Sequence, residues 1–76
     1  MNYAQKFRNI REDKEITQAE LAKAIGTTQS YMAQYENGHR LMTFDRAVEI
    51  AKVLNISLDY IAGFIDEPKP LREEKQ

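Results

Sequence analysis

Seventy-six residues, with 11 Lys and Arg against 12 Asp and Glu and no cysteine, make one small domain and exclude a large catalytic core, because folding at this size buries only about 60% of the chain's surface. Without thiols there is neither a disulfide framework nor a thiolate metal site, and no apolar run approaches the roughly 20 residues that span a bilayer, so a soluble cytoplasmic chain with no membrane role is expected. A net charge of −1 and a pI near 5.8 argue against a strongly basic nucleic-acid coat protein, for which a domain pI above about 9 is the cue.

Tyr3, Phe7 and Ile10 fall at a spacing of four then three, which lines one face of a helix over residues 2 to 14. Lys6, Arg8, Glu12 and Asp13 take the other face. Thr17-Gln18-Ala19-Glu20 has the form of a capping box, so a second helix starts at Gln18 and buries Leu21, Ala22 and Ile25. Gly26 ends it, since glycine takes a positive φ at little cost. Thr28 caps a third helix that stops at Asn37-Gly38, with only Gly26 and Thr27 separating it from the second. Thr43 caps a fourth helix in which Phe44, Ala47, Val48, Ala51 and Leu54 repeat at the spacing of a core-facing stripe. Ser57 caps a short fifth helix with Leu58, Ile61 and Ala62 inward, and Phe64 and Ile65 carry the apolar character past Gly63. The helical domain therefore occupies residues 1–65. From Asp66 to Gln76 the chain has both prolines, seven charges and one apolar residue, Leu71, and is expected to form a disordered tail.

Five short helices with a tight glycine turn between the second and third suggest a helix-turn-helix, whose second member lies in the DNA major groove. Small Ala22 lies where the two helices cross, Gly26 in the turn, apolar Met32 and Tyr35 beneath the third helix, and Glu36-Asn37-Gly38 at its end. With these features residues 3–65 resemble phage repressors and Cro-like (XRE) regulators. Asn55-Ile56-Ser57-Leu58-Asp59-Tyr60 is similar to the family's approach to its fifth helix. Two positions depart from the pattern: Thr27 stands where Val or Ile is usual, and Met42 where many members have proline. The resemblance implies an all-α, compact five-helix lambda-repressor-like domain that binds double-stranded DNA, with an ion pair between Arg11 and Glu36. It also implies a rival use of the fold, as the antitoxin partner in a toxin–antitoxin pair, which would engage a protein through the tail or the fifth helix.

The chemistry of the third helix can be read separately. Steps of 100° place Gln29, Ser30, Ala33, Gln34 and Asn37 on one arc, opposite Met32, Tyr35 and Glu36. A Gln amide offers a donor and an acceptor side by side, matching N6 and N7 of adenine, and each good bidentate pair discriminates by roughly 1–3 kcal/mol. Thr28, Gln29, Ser30 and Gln34 are thus the expected base readers, the Thr28 methyl facing a thymine methyl. Tyr31 lies at the edge of the apolar arc, where packing and a hydroxyl contact to phosphate are equal readings. Gln18 at a helix start, and Asn37, His39 and Arg40 beyond the third helix, are the expected phosphate contacts. From Ile16 to Phe44, Lys23 and Arg40 balance Glu20 and Glu36, so binding should weaken with salt on a shallow slope.

No catalytic or metal site is expected, since His39 is the single histidine and no carboxylates cluster; no cofactor is expected either. One third helix reads about half a turn of DNA, so a homodimer on a two-fold operator is expected, pairing through Leu58, Ile61, Phe64 and Ile65. The expected function is a sequence-specific transcriptional regulator, a repressor.

Overall fold

Every helix after the first begins where a hydroxyl can close its first turn. The computed structural model describes residues 3–73, and within them α1 (Tyr3–Asp13), α2 (Gln18–Ala24), α3 (Gln29–Glu36), α4 (Phe44–Leu54) and α5 (Leu58–Ala62), with no strand. Residue 2 of the expected first helix and residues 74–76 of the tail lie outside the described part. The Thr17, Thr28, Thr43 and Ser57 hydroxyls accept from the backbone amides of Glu20, Tyr31, Arg46 and Asp59, satisfying donors that a helix start leaves open. At Thr17 the box is reciprocal: Glu20 Oε1 accepts from the Thr17 amide at 2.8 Å. That backbone bond, with the Thr17 hydroxyl, holds the Glu20 carboxyl below its ordinary value of 4.5.

The helix ends are equally regular. Gly26 and Gly38 have φ of +74° and +78°, the left-handed region that glycine enters without a Cβ penalty. Gly26 N donates to Lys23 O and Thr27 N to Ala22 O, which closes α2 and turns the chain directly into α3. Glu15 and Asn55 take the same conformation after α1 and α4, a role the sequence pattern did not assign to them.

The core gathers Phe7 and Ile10 of α1, Leu21, Ala22 and Ile25 around α2, Met32 and Tyr35 of α3, Ile50, Ala51 and Leu54 of α4, and Ile56 and Ile61. Met42, the residue standing in place of proline, is buried and turns the α3–α4 loop into part of this core. Ala22 is fully buried, and α2 and α3 pack most extensively on one another.

Four expectations are corrected. Phe44 is 74% exposed, because it sits on the first turn of α4 and to one side of the arc formed by Ala47, Ile50, Ala51 and Leu54; Ile50 fills the core instead. Ala62 is exposed at the end of the one-turn α5. Lys6 is half-buried rather than on a solvated face: its ammonium donates to Tyr60 O at 2.9 Å and lies 4.7 Å from the centroid of that ring, tying α1 to α5. The described part of the tail is hydrogen-bonded. Ser57 N donates to Lys69 O, Leu71 N to Asn55 O, and the Asn55 side chain bonds the Arg72 backbone in both directions, so main-chain pairing holds a segment too polar for apolar burial.

Candidate nucleic-acid interface

The position of α3 is fixed from beneath by a buried ion pair. Arg11 Nε and Nη2 donate to the two Glu36 carboxylate oxygens at 2.7 and 3.0 Å, and Arg11 Nη1 donates to Ile16 O at 2.7 Å. Gln18 Nε2 completes the cluster by donating to Glu36 Oε1 at 2.9 Å. The two side chains are 9% and 2% exposed, and the planar guanidinium matches the carboxylate two-to-two. The Glu36 carboxylate on α3 is therefore held by Arg11 of α1 and by the first residue of α2, while the loop after α1 fixes the arginine. A further arginine, Arg46 of α4, donates to Ile25 O at 2.8 Å and secures the α2 end of the turn. No spacing rule pointed to it.

The outer arc of α3 is polar and open. Gln29 and Ser30 are exposed just inside the Thr28 cap; Ala33 and Gln34 are half-buried one turn later; Asn37 is exposed at the C-cap. The Gln29 side chain has no hydrogen-bond partner among the described residues. The Thr28 hydroxyl is engaged by the Tyr31 amide at 3.2 Å, which leaves its methyl for a neighbour. His39 and Arg40 are exposed beyond the Gly38 turn, their amides both donating to Gln34 O. The expected base readers and three of the four expected phosphate contacts thus share one continuous stretch, residues 28–40. Gln18 is half-buried, and its amide already serves Glu36, so what it offers outside comes from a side chain held in place by the buried pair. Tyr31 is 41% exposed, with its ring 6.4 Å from that of Tyr35 and beneath the Arg40 guanidinium, so the ring packs on both neighbours while part of it stays open.

The expected pairing surface changes. Ile61 is only 4% exposed and belongs to the core, three residues on from Leu58 along the inward side of α5, which removes it from any surface available to a partner. Leu58 and Ile65 are half-buried and Phe64 is exposed. An apolar groove of about 260 Å³ runs between the starts of α1 and α4 and the side of α5, with Tyr3, Phe44, Leu58 and Ala62 along it.

Together these features define a five-helix domain built round a helix-turn-helix, whose second helix turns a polar face outward. The helix-turn-helix family profile matches residues 7–61, and the chain belongs to that family, of the Cro-like and phage-repressor (XRE) type. It is similar to the uncharacterised HTH-type transcriptional regulator YobD of Bacillus subtilis, with 34% identity over 96% of this chain and 65% of that protein. It is also similar to the cryptic phage CTXphi transcriptional repressor RstR of Vibrio cholerae, with 35% identity over 83% of this chain and 56% of that one. The chain thus spans less than two thirds of these relatives. Among solved structures it is similar to the P22 c2 repressor in complex with a synthetic operator, with a TM-score of 0.69 and 25% identity over 78% of this chain and 89% of that chain.

Proposed function

We propose that this chain is a sequence-specific DNA-binding transcriptional regulator, acting as a repressor, that reads the major groove with α3 as a homodimer on a two-fold operator. The observation that carries the reading is the division of α3: Met32, Tyr35 and Glu36 are buried while Gln29, Ser30 and Gln34 face outward from a helix anchored by Arg11. In this reading Thr28, Gln29, Ser30 and Gln34 contact base edges, and Gln18, Asn37, His39 and Arg40 contact the sugar-phosphate backbone. Two relatives support it by what they are: RstR is a transcriptional repressor, and the P22 c2 repressor is bound to an operator.

Pairing is supported by size. The domain measures 33 × 29 × 21 Å, small enough for two copies to sit side by side on successive major grooves, about 34 Å apart on one face of DNA. For the pairing surface we assign the groove along Phe44 and Leu58 to a second copy of this chain.

Selection of bound duplexes from a random pool tests the proposal. Enriched sites should be two-fold symmetric, and the double change Gln29→Ala with Gln34→Ala should abolish their preference. No enrichment by the unaltered protein, or enrichment unaffected by the double change, contradicts base reading by α3. Sedimentation showing a monomer both free and on a palindromic site contradicts the dimer.

A further inference from the structure

Beyond the Gly38 turn, three side chains of the reading face are linked to one another. Arg40 Nε donates to Gln34 Oε1 at 3.1 Å, Gln34 Nε2 donates to Ser30 Oγ at 3.3 Å, and the Arg40 guanidinium carbon lies 4.3 Å from the centroid of the Tyr31 ring. Chemistry dictates this order of atoms. A guanidinium carries five N–H donors and no acceptor, so the amide atom facing it must be oxygen. The amide nitrogen then falls toward Ser30, whose hydroxyl accepts. Arg40 is itself constrained: its backbone amide donates to Gln34 O at 3.2 Å, and its planar head rests over the Tyr31 ring in a cation–π contact.

The linkage leaves the amide able to meet a base, since the oxygen retains a second lone pair and the nitrogen a second hydrogen. What it removes is rotation. A Gln amide free to turn by half a revolution presents donor and acceptor in either order and satisfies more than one base edge. Held from both sides, it presents the acceptor toward Arg40 and the donor toward Ser30. In the major groove that order is what separates one base pair from another.

We infer that Arg40, supported by the ring of Tyr31, is a positioning residue that fixes the side-chain amide of Gln34 and so sets the base preference at the one pair Gln34 faces. This rests on the reading of α3 as the major-groove helix. It adds to the backbone contact of Arg40, because phosphate contacts carry no sequence information.

Two measurements test it, one needing no DNA. NMR relaxation of the side-chain amide nitrogens should show Gln34 ordered in the unaltered protein and, in Arg40→Ala, as mobile as Gln29, whose side chain has no partner among the described residues. Equal mobility of Gln34 and Gln29 in the unaltered protein overturns the inference. In selection from a random duplex pool, Arg40→Ala should retain the rest of the site but lose about tenfold or more of the preference at the pair identified by Gln34→Ala. Arg40→Lys keeps the charge, and so much of the affinity, yet should lose the same preference, because an ammonium is a point charge on a flexible stem that lacks the planar fork. Tyr31→Phe keeps the ring face and should keep the preference. Uniform weakening by Arg40→Ala at every position, with preference at that pair intact, shows a charge contact only and overturns the inference while leaving base reading by α3 standing. No enrichment by the unaltered protein defeats the major-groove reading, and the inference with it.

Discussion

The two sides of α3 use the same kinds of group under opposite conditions. On the inner side, Arg11 meets Glu36 at 2.7 Å with both side chains nearly inaccessible to water; on the outer side, Arg40 meets Gln34 at 3.1 Å in the open. A buried charge has no solvent to fall back on, so losing its partner destabilises the fold. An exposed polar contact has water as an alternative partner and contributes little to stability. Location therefore separates the tasks: the inner side decides where α3 sits, and the outer side decides what it presents.

Predictions that would break this division run from the inner side outward. Arg11→Ala should destabilise the domain by about 3–5 kcal/mol in urea unfolding, by leaving the Glu36 carboxylate buried without its cation. Arg11→Met combined with Glu36→Leu should recover most of that loss, since neither charge is then orphaned. A small effect of Arg11→Ala would mean that the Gln18 amide and water suffice for Glu36. Met32→Ala, which empties a fully buried site between α3 and the core, should cost about 2–5 kcal/mol in the same measurement. Thr28→Ala removes the cap of α3 and should cost about 1 kcal/mol, followed as a lowered melting temperature.

Smaller effects concern charge. With few cations on the reading stretch, the logarithm of the binding constant should fall with the logarithm of salt on a slope corresponding to only a few phosphates, read from titrations at several ionic strengths. A steep slope would mean that lysines and arginines outside residues 28–40 reach the backbone. At the start of α2, the lowered Glu20 carboxyl contributes stability that is present above its ordinary value of 4.5 and lost as the pH falls through its lower folded value. Acid titration of helix content should therefore separate the unaltered protein from Glu20→Gln above about pH 4.5 and bring the two together as the carboxyl protonates, since Gln closes the box only as a neutral group.

Much of the fold was legible because its signals are local. A hydroxyl two or three residues before a helical amide, or a glycine after a helix, needs no knowledge of tertiary packing, and Thr17, Thr28, Thr43, Ser57, Gly26 and Gly38 all act where the pattern put them. Phe44 misled because periodicity gives an arc but does not give its centre; Ile50, equally apolar, lies across the arc and takes the core. Backbone pairing of Lys69 and Leu71 with Ser57 and Asn55 was invisible, since composition reports apolar burial and says nothing of main-chain partners. At the candidate interface, angular position put Gln29 and Gln34 outward and Glu36 inward. The link from Arg40 to Gln34 was not legible: it depends on the Gly38 turn bringing residue 40 back over α3, and the spacing of six matches no helical neighbour rule.

The most direct test takes one preparation of the Gln29→Ala, Gln34→Ala double variant through both urea unfolding and site selection. Separate tasks for the two faces predict an unfolding free energy within about 0.5 kcal/mol of the unaltered protein together with loss of the enriched sequence. A variant that enriches the same sequence as the unaltered protein, or one whose lost binding is matched by lost stability, would contradict it.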